Sequence, residues 1–308
     1  MANQVRISVE GDIDAYTVDE VVTRVRAAAT DGFDAIWFPQ IWGLDLLTAL
    51  AVAAREVPRI EIGTAVVPIQ GRHPIPLAQQ ALTVADAAGP GRLTLGLGVA
   101  HARQSEGWYG IPYARVVDLC REELEALSSL LSAQRRADLT GSWLTARATL
   151  SVDCPPPGLV LAALGPRMVA LAGRLTDGTI TYMTGPVTLR RDIIPRLEDA
   201  AAAAGRRQPR VITGVHVCVT NDVARLRHEV GALLAPRAQV ASYKRMIAAE
   251  GIDDAVDLAI IGDADTVLEG IERMAHAGAT EILAHVEGNP DERRATRELL
   301  AAHSVSRA

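Results

Sequence analysis

The chain has 308 residues, a formal net charge of -6 and a hydrophobic fraction of 49%, while Phe, Trp and Tyr make up only 4% of all residues. An acidic chain without a run of Lys or Arg offers no surface for counterion-releasing contact with nucleic acid or an anionic membrane, and no uncharged apolar stretch approaches the ~20 residues that cross a bilayer. The expectation is one domain over residues 1–308, with aliphatic layers in its core and a small molecule as its partner.

Met1 to Val9 lacks the basic start and apolar core of a signal peptide, which points to the cytoplasm. From there, short and nearly continuous aliphatic runs predict strands covered on both faces. They fall at Val5 to Val9, Ala35 to Phe38, Ile60 to Val67, Leu93 to Val99, Leu159 to Ala163, Thr179 to Met183, Val211 to Val219 and Glu281 to Val286. Segments with helical spacing lie between them, such as Leu44, Leu47, Ala51 and Ala54, or Val116, Leu119, Leu124, Leu127 and Leu131. Strand and helix thus alternate eight times. A doubly wound open sheet would carry a Gly-x-Gly-x-x-Gly loop after its first strand, but Glu10-Gly11-Asp12 stands there. The fold class predicted is therefore α/β, a (β/α)8 TIM barrel with insertions.

Two stretches break the rhythm: residues 134–157, read as a hairpin-like insertion, and residues 222–257, read as extra helices. Insertions on barrels commonly cover the mouth, so both are lid candidates. After Leu300 the sequence reads as a frayed tail. Cys120, Cys154 and Cys218 are far apart and lack metal-ligand spacing, so they read as buried apolar residues, with neither disulfide framework nor metal site.

Barrel chemistry is built just beyond the strand C-termini. The positions there include Glu10, Gln40, Val66 to Gln70, Ala100, His101, Leu164 to Arg167, Tyr182 to Thr184 and His285, and no acid/base pair or metal set stands out among them. Lys244, the chain's single lysine, lies in an insertion, which argues against a lysine-dependent aldolase. A mouth so poor in reactive groups suggests that a cofactor carries the chemistry. Leu164-Gly165-Pro166-Arg167 opens a helix after a strand, where free amides can hold a phosphate and Arg167 can contact it. His101 has an imidazole suited to proton exchange near neutral pH. Trp42, Trp108 and Tyr109 follow strand ends and can wall an apolar substrate pocket, whereas Trp37 reads as core and His73 as a helix cap.

Several motifs together resemble the luciferase-like flavin-utilising oxidoreductases. They are Gly63-Thr64-Ala65-Val66-Val67-Pro68, Arg72-His73-Pro74, Gly91-Arg92-Leu93-Thr94-Leu95-Gly96-Leu97-Gly98, Glu106-Gly107-Trp108-Tyr109-Gly110, Gly165-Pro166-Arg167 and Asp177-Gly178-Thr179. The resemblance spans almost the whole chain and is closer to the branch that uses the deazaflavin coenzyme F420 than to the FMN branch. It implies a barrel, usually a homodimer, whose coenzyme ring rests on a bulge with a non-prolyl cis peptide, here Ala65-Val66. By the same resemblance Gln40, Thr64, Ala65, Val66, Gly98, His101 and Ala163 to Arg167 line the coenzyme, with His101 and Gln40 nearest the chemistry. In place of the Asp-His pair of the family's sugar dehydrogenases this chain has Gln40-Ile41, which argues against a sugar phosphate. The leading expectation is an F420-dependent oxidoreductase. Its alternatives are an FMN-dependent two-component monooxygenase and a non-catalytic flavin-binding barrel.

Overall fold

All eight aliphatic runs form strands in the computed structural model, which describes residues 5–11 and 17–305. They are β1 (Arg6–Glu10), β2 (Ala35–Phe38), β3 (Glu61–Thr64), β4 (Leu93–Gly98), β5 (Gly158–Ala162), β6 (Gly178–Tyr182), β7 (Arg210–Val219) and β8 (Glu281–Val286). Each pairs in parallel with the next, and β8 pairs with β1, Ile282 opposite Ile7, so the sheet closes into a barrel. Closure removes the exposed edges that an open sheet would leave. The end of β7 runs on to pair with a short strand at Ile260–Gly262.

The helices follow from their ends and their small-residue faces. Thr17 and Glu20 form a reciprocal capping box that starts α1 (Val18–Asp31), and Gly32, at φ 96°, stops it. Then come α2 (Leu46–Glu56), α3 (Pro74–Ala88), α4 (Ala102–Tyr109), α5 (Val116–Leu131), α6 (Pro166–Leu175), α7 (Ile194–Ala203), α8 (Val223–Ala238), α9 (Ala241–Glu250), α10 (Ala264–His276) and α11 (Pro290–Val305). Ala49, Ala53, Ala78, Ala81 and Ala85 are buried, so α2 and α3 pack closely through alanines, as the composition requires. His73 caps α3 as expected, its Nδ1 accepting from the Ile75 amide. Up to Val305 the chain beyond Leu300 is helical rather than the frayed tail expected, α11 continuing to that residue with Leu300 and Ala301 buried in the core; the last three residues lie outside the described ones.

Inside the ring, Ala35, Trp37, Val160, Ile180, Ile212 and Leu283 form a core separate from the shell between strands and helices. Trp37 fills the axis because Gly63 faces it; a Cβ on Gly63 would lie 2.2 Å from the indole. Below this layer sits a charged floor. Arg210 donates to Glu61 (2.9 Å) and Glu281 (2.7 Å), Arg6 pairs with Glu61 (2.8 Å), and Trp37 Nε1 donates to Glu281 (2.8 Å). At the N-terminal ends of the strands such a cluster serves stability rather than chemistry.

The insertion at 134–157 contains an antiparallel hairpin, Arg136–Thr140 with Thr145–Thr149, lying against α3 and α5 on the barrel's outside. Buried Glu122 of α5 accepts the amides of Ser142, Trp143 and Leu144 and so fixes the hairpin's tip. The contacts that anchor it are with these outer helices, which does not favour the lid expected there. The three cysteines are unpaired; Cys120 and Cys218 are buried, and burial pushes the Cys120 thiol up to about 12.

Candidate active site

The mouth of the barrel has two unlike halves. On the side of β3, β4 and β5 the chain presents small residues around a bulge. The pairing of β3 with β4 begins with Ile62 opposite Leu93, an offset of 31 (93 − 62), and resumes with Val67 opposite Leu97, an offset of 30 (97 − 67). One extra residue is therefore accommodated between Thr64 and Val66, which is a β-bulge, and the Ala65-Val66 peptide within it is cis. Thr64 is buried and replaces the lost ladder contacts, its hydroxyl donating to the Gly96 carbonyl and accepting from the Gly96 amide, both at 2.8 Å. A Cβ on Gly96 would meet the Thr64 carbonyl at 1.9 Å, and one on Gly98 would meet Val66 Cγ2 at 2.5 Å and Ala162 Cβ at 3.3 Å. These two glycines therefore let the bulge settle onto β4.

Gln40 supports the same bulge through its backbone, whose N–H donates to the Val66 carbonyl at 3.4 Å. Its side chain is held by its own loop, Oε1 accepting from the Leu46 amide (2.7 Å) and Nε2 donating to the Leu44 carbonyl (3.1 Å). These two contacts fix the orientation of the Gln40 amide and leave its second N–H as the donor for a direct hydrogen bond to ring or substrate. Ala163, Leu164 and Gly165 lead from β5 into α6, which starts at Pro166 without a side-chain cap, so its first amides are left for an external acceptor. Arg167 is 73% exposed and reaches Asp118 at 3.5 Å.

On the rim, the aromatic residues singled out from the sequence come together. Trp42 and Trp108 have ring centroids 3.5 Å apart, and Tyr109 lies beside Gly71 at the start of α3's connecting loop. All three are exposed, Trp42 at 70%.

The other half, on β6, β7, β8 and β1, overturns the picture of a mouth poor in reactive groups. Glu10 Oε2 and His285 Nδ1 are 2.6 Å apart, and His216 Nδ1 and Glu287 Oε1 are 2.8 Å apart. The two imidazoles stack, with centroids 4.8 Å apart and planes 20° apart. Tyr182 Oη lies 2.7 Å from His216 Nε2. Tyr243 of α9 then bridges the mouth, its ring edge-on to both Tyr182 and His101 at 5.6 Å. Tyr243, within the insertion at 222–257, thus packs against residues at the ends of β4 and β6. Exposed Lys244 follows Tyr243 on the same helix. Among the described residues no group of three or more His, Cys, Asp or Glu is arranged to hold a metal.

Electrostatics divide these groups by charge. Burial alone would raise the Glu10 carboxyl, but the charge and hydrogen bond of His285, with His216 and Arg237 nearby, outweigh it and hold Glu10 below the usual range. Glu287 is held down likewise: burial opposes ionisation, and the hydrogen bond from His216 favours it more. Burial lowers both His101 and His216, the latter against the pull of Glu287. Each of these mouth groups binds protons more strongly in the unfolded chain, so acid weakens the fold through them. The contribution of His216 and His101 is expected to be complete above about pH 6.5 and to fall as they are forced to protonate, and that of Glu10, Glu61 and Glu287 to fall below about pH 4.3. Glu123 of α5 acts in the opposite sense: burial pushes its carboxyl up to about 8, so its contribution is lost as pH rises towards that value. Thermal scans of Glu123→Gln between pH 8 and pH 3 isolate the first set, and a melting temperature that rises on acidification in that variant would contradict it.

The comparisons agree with the geometry. The chain is 29% identical over 285 residues to a candidate coenzyme F420-dependent oxidoreductase of Mycobacterium tuberculosis, covering 87% of this chain and 80% of that one. It is 31% identical over 226 residues to the F420-dependent glucose-6-phosphate dehydrogenase of Beutenbergia cavernae, covering 70% and 64%. In structure it matches an F420-dependent secondary alcohol dehydrogenase solved with an F420-acetone adduct, with a TM-score of 0.81, 19% identity and 99% of each chain covered. The family model described as luciferase-like monooxygenase matches residues 3–281, and the chain belongs to that family.

Proposed function

We propose that the protein is an F420-dependent oxidoreductase that exchanges a hydride between the deazaflavin and a small organic substrate. The observation that carries this reading is the divided mouth. A planar ring needs a bed without bulky side chains, and Ala65, Val66, Gly98 and Ala162 form one, with the acid/base groups on the opposite wall. The relatives at 29% and 31% identity, both named for F420, support the same choice over FMN.

When bound, the coenzyme supplies the hydride acceptor or donor; everything else falls to the chain. The bulge and Gly98 seat the ring, and the open amides at the start of α6, with Arg167, hold a phosphate of its tail. Tyr243 and α8–α9 close over the ring and exclude water, while Trp42, Trp108 and Tyr109 wall the approach of an apolar substrate. His101, neutral and edge-on to Tyr243, hydrogen-bonds the coenzyme. Gln40-Ile41 provides no proton carrier beside β2, which argues against oxidation of a sugar phosphate by a base at that position. The reading extends to a cytoplasmic homodimer.

Parallel fluorescence titrations with F420 and FMN test the proposal. F420 is expected to bind with a Kd on the order of micromolar or tighter, and FMN much more weakly. Binding of neither overturns the reading, and oxygen-dependent product formation with reduced FMN would favour a monooxygenase.

A further inference from the structure

We propose that Glu287, His216 and Tyr182 form a proton relay that takes the hydroxyl proton from an alcohol substrate as it is oxidised to a carbonyl compound. The inference rests on the F420 reading for its hydride acceptor, but the relay itself is a property of this chain.

Geometry fixes where its protons are. An ionised Glu287 can only accept, so the proton between it and His216 sits on Nδ1. A neutral His216 then has a bare Nε2, and the only proton available to the 2.7 Å contact is the phenolic one of Tyr182. Tyr182 therefore spends its O–H on the histidine and offers oxygen lone pairs to whatever lies in the mouth. Burial gives the relay a direction: His216 is 6% exposed, while Tyr182 at the end of β6 is half-buried. One end meets a ligand and the other is a shielded reservoir. The charged and titratable groups around His216 are Glu287 after β8, His285 on β8 and Glu10 on β1; Arg237 of α8 and Tyr243 of α9 act on Tyr182 from above. His285, stacked on His216, is already hydrogen-bonded to Glu10 and holds the second imidazole's plane.

An alcohol hydroxyl donating to Tyr182 Oη completes the arrangement. The carbinol C–H bond breaks with its electron pair leaving as hydride to the oxidised deazaflavin, and the C–O bond becomes a carbonyl. The hydroxyl proton passes to Tyr182 as the Tyr182 proton passes to His216 Nε2, leaving an imidazolium against the Glu287 carboxylate. Return of that proton to solvent resets the relay. The resting chain is thus set to accept a proton, which favours oxidation, and burial of His216 keeps it in that state at neutral pH. This supplies, from the β6–β7–β8 wall, the proton transfer that Gln40-Ile41 cannot make beside β2.

Two measurements test it. In coenzyme-free protein labelled with nitrogen-15 histidine, His216 is expected as the neutral Nδ1-protonated tautomer at pH 7, with its Nε2 resonance moved by Tyr182→Phe; an Nε2-protonated tautomer overturns the relay. In coenzyme-loaded protein, single-turnover oxidation of a panel of open-chain and cyclic alcohols is expected. Tyr182→Phe should slow it about a hundredfold or more, leave the coenzyme Kd within about twofold, and abolish the rise in rate with pH. His216→Gln carries the same readout if Tyr182→Phe does not fold. Parent rates in these variants, or a coenzyme-bound parent that oxidises none of the alcohols, overturn the proposal. Failure to bind F420 at all counts against the function reading instead, and the tautomer still decides the relay.

Discussion

Glu281→Ala is expected to lower the unfolding free energy by about 3–5 kcal/mol, the range for breaking a buried ion pair by removing one partner. Glu281 is fully buried and accepts from Arg210 at 2.7 Å and from the Trp37 indole at 2.8 Å. Removing it leaves the indole N–H at the barrel axis without its acceptor, and Arg210 with Glu61 as its remaining carboxylate and the Thr94 hydroxyl as a neutral acceptor. Glu281→Gln keeps an acceptor for Trp37 and should lose less. Urea unfolding of the two variants gives the comparison, and a loss below about 1 kcal/mol for the alanine would show that the floor does not hold the barrel. F420 affinity should change little in either, because the mouth is at the other end of the strands.

Gly96→Ala should act at the opposite end, on both stability and coenzyme binding. Its Cβ would stand 1.9 Å from the Thr64 carbonyl and 2.9 Å from Ile180 Cδ1, so the backbone of β3 must move. Overpacking of this kind costs about 1–3 kcal/mol, and the displaced bulge should weaken F420 binding more than tenfold. Gly165→Ala is the control for stability. Gly165 has φ -76° and ψ 149°, and a Cβ there would meet nothing within 4 Å, so its unfolding free energy should fall by no more than the ~1 kcal/mol that alanine costs at an N-cap. Equal losses at the two positions would remove the argument that Gly96 is there for the bulge.

The contrast between these two glycines also marks what could be read from the chain itself. Eight strands were legible because a barrel strand is covered on both faces and so writes itself as an unbroken aliphatic run. The hairpin at 136–149 was legible as a hairpin-like insertion over 134–157 but its packing was not, since its outward residues Arg136, Asp138, Arg147 and Thr149 are polar and its turn is held by Glu122 of α5. The reactive half of the mouth was missed because Glu10, Tyr182, His216, His285 and Glu287 come from four strands and meet only on closure. A signal was present: alternation from inward-facing Ile212 puts His216 on the inner face of β7, and alternation from Leu283 does the same for His285. Histidines at inward positions within otherwise apolar runs are what a search for paired side chains at neighbouring positions overlooks. For Gln40, adjacency to the mouth was legible but the orientation of its amide was not, because Leu44 and Leu46 fix it only once the loop folds back.

A single exposed lysine next to the tyrosine that spans the mouth gives this protein an uncommon chemical handle. Apart from the terminal amine, an amine-directed fluorophore has one place to attach, Lys244 on α9. A dye there sits beside Tyr243, whose ring contacts both His101 after β4 and Tyr182 at the end of β6. Any change in the surroundings of Tyr243 on ligand binding at the strand ends would thereby become an optical signal, without substitution of any residue.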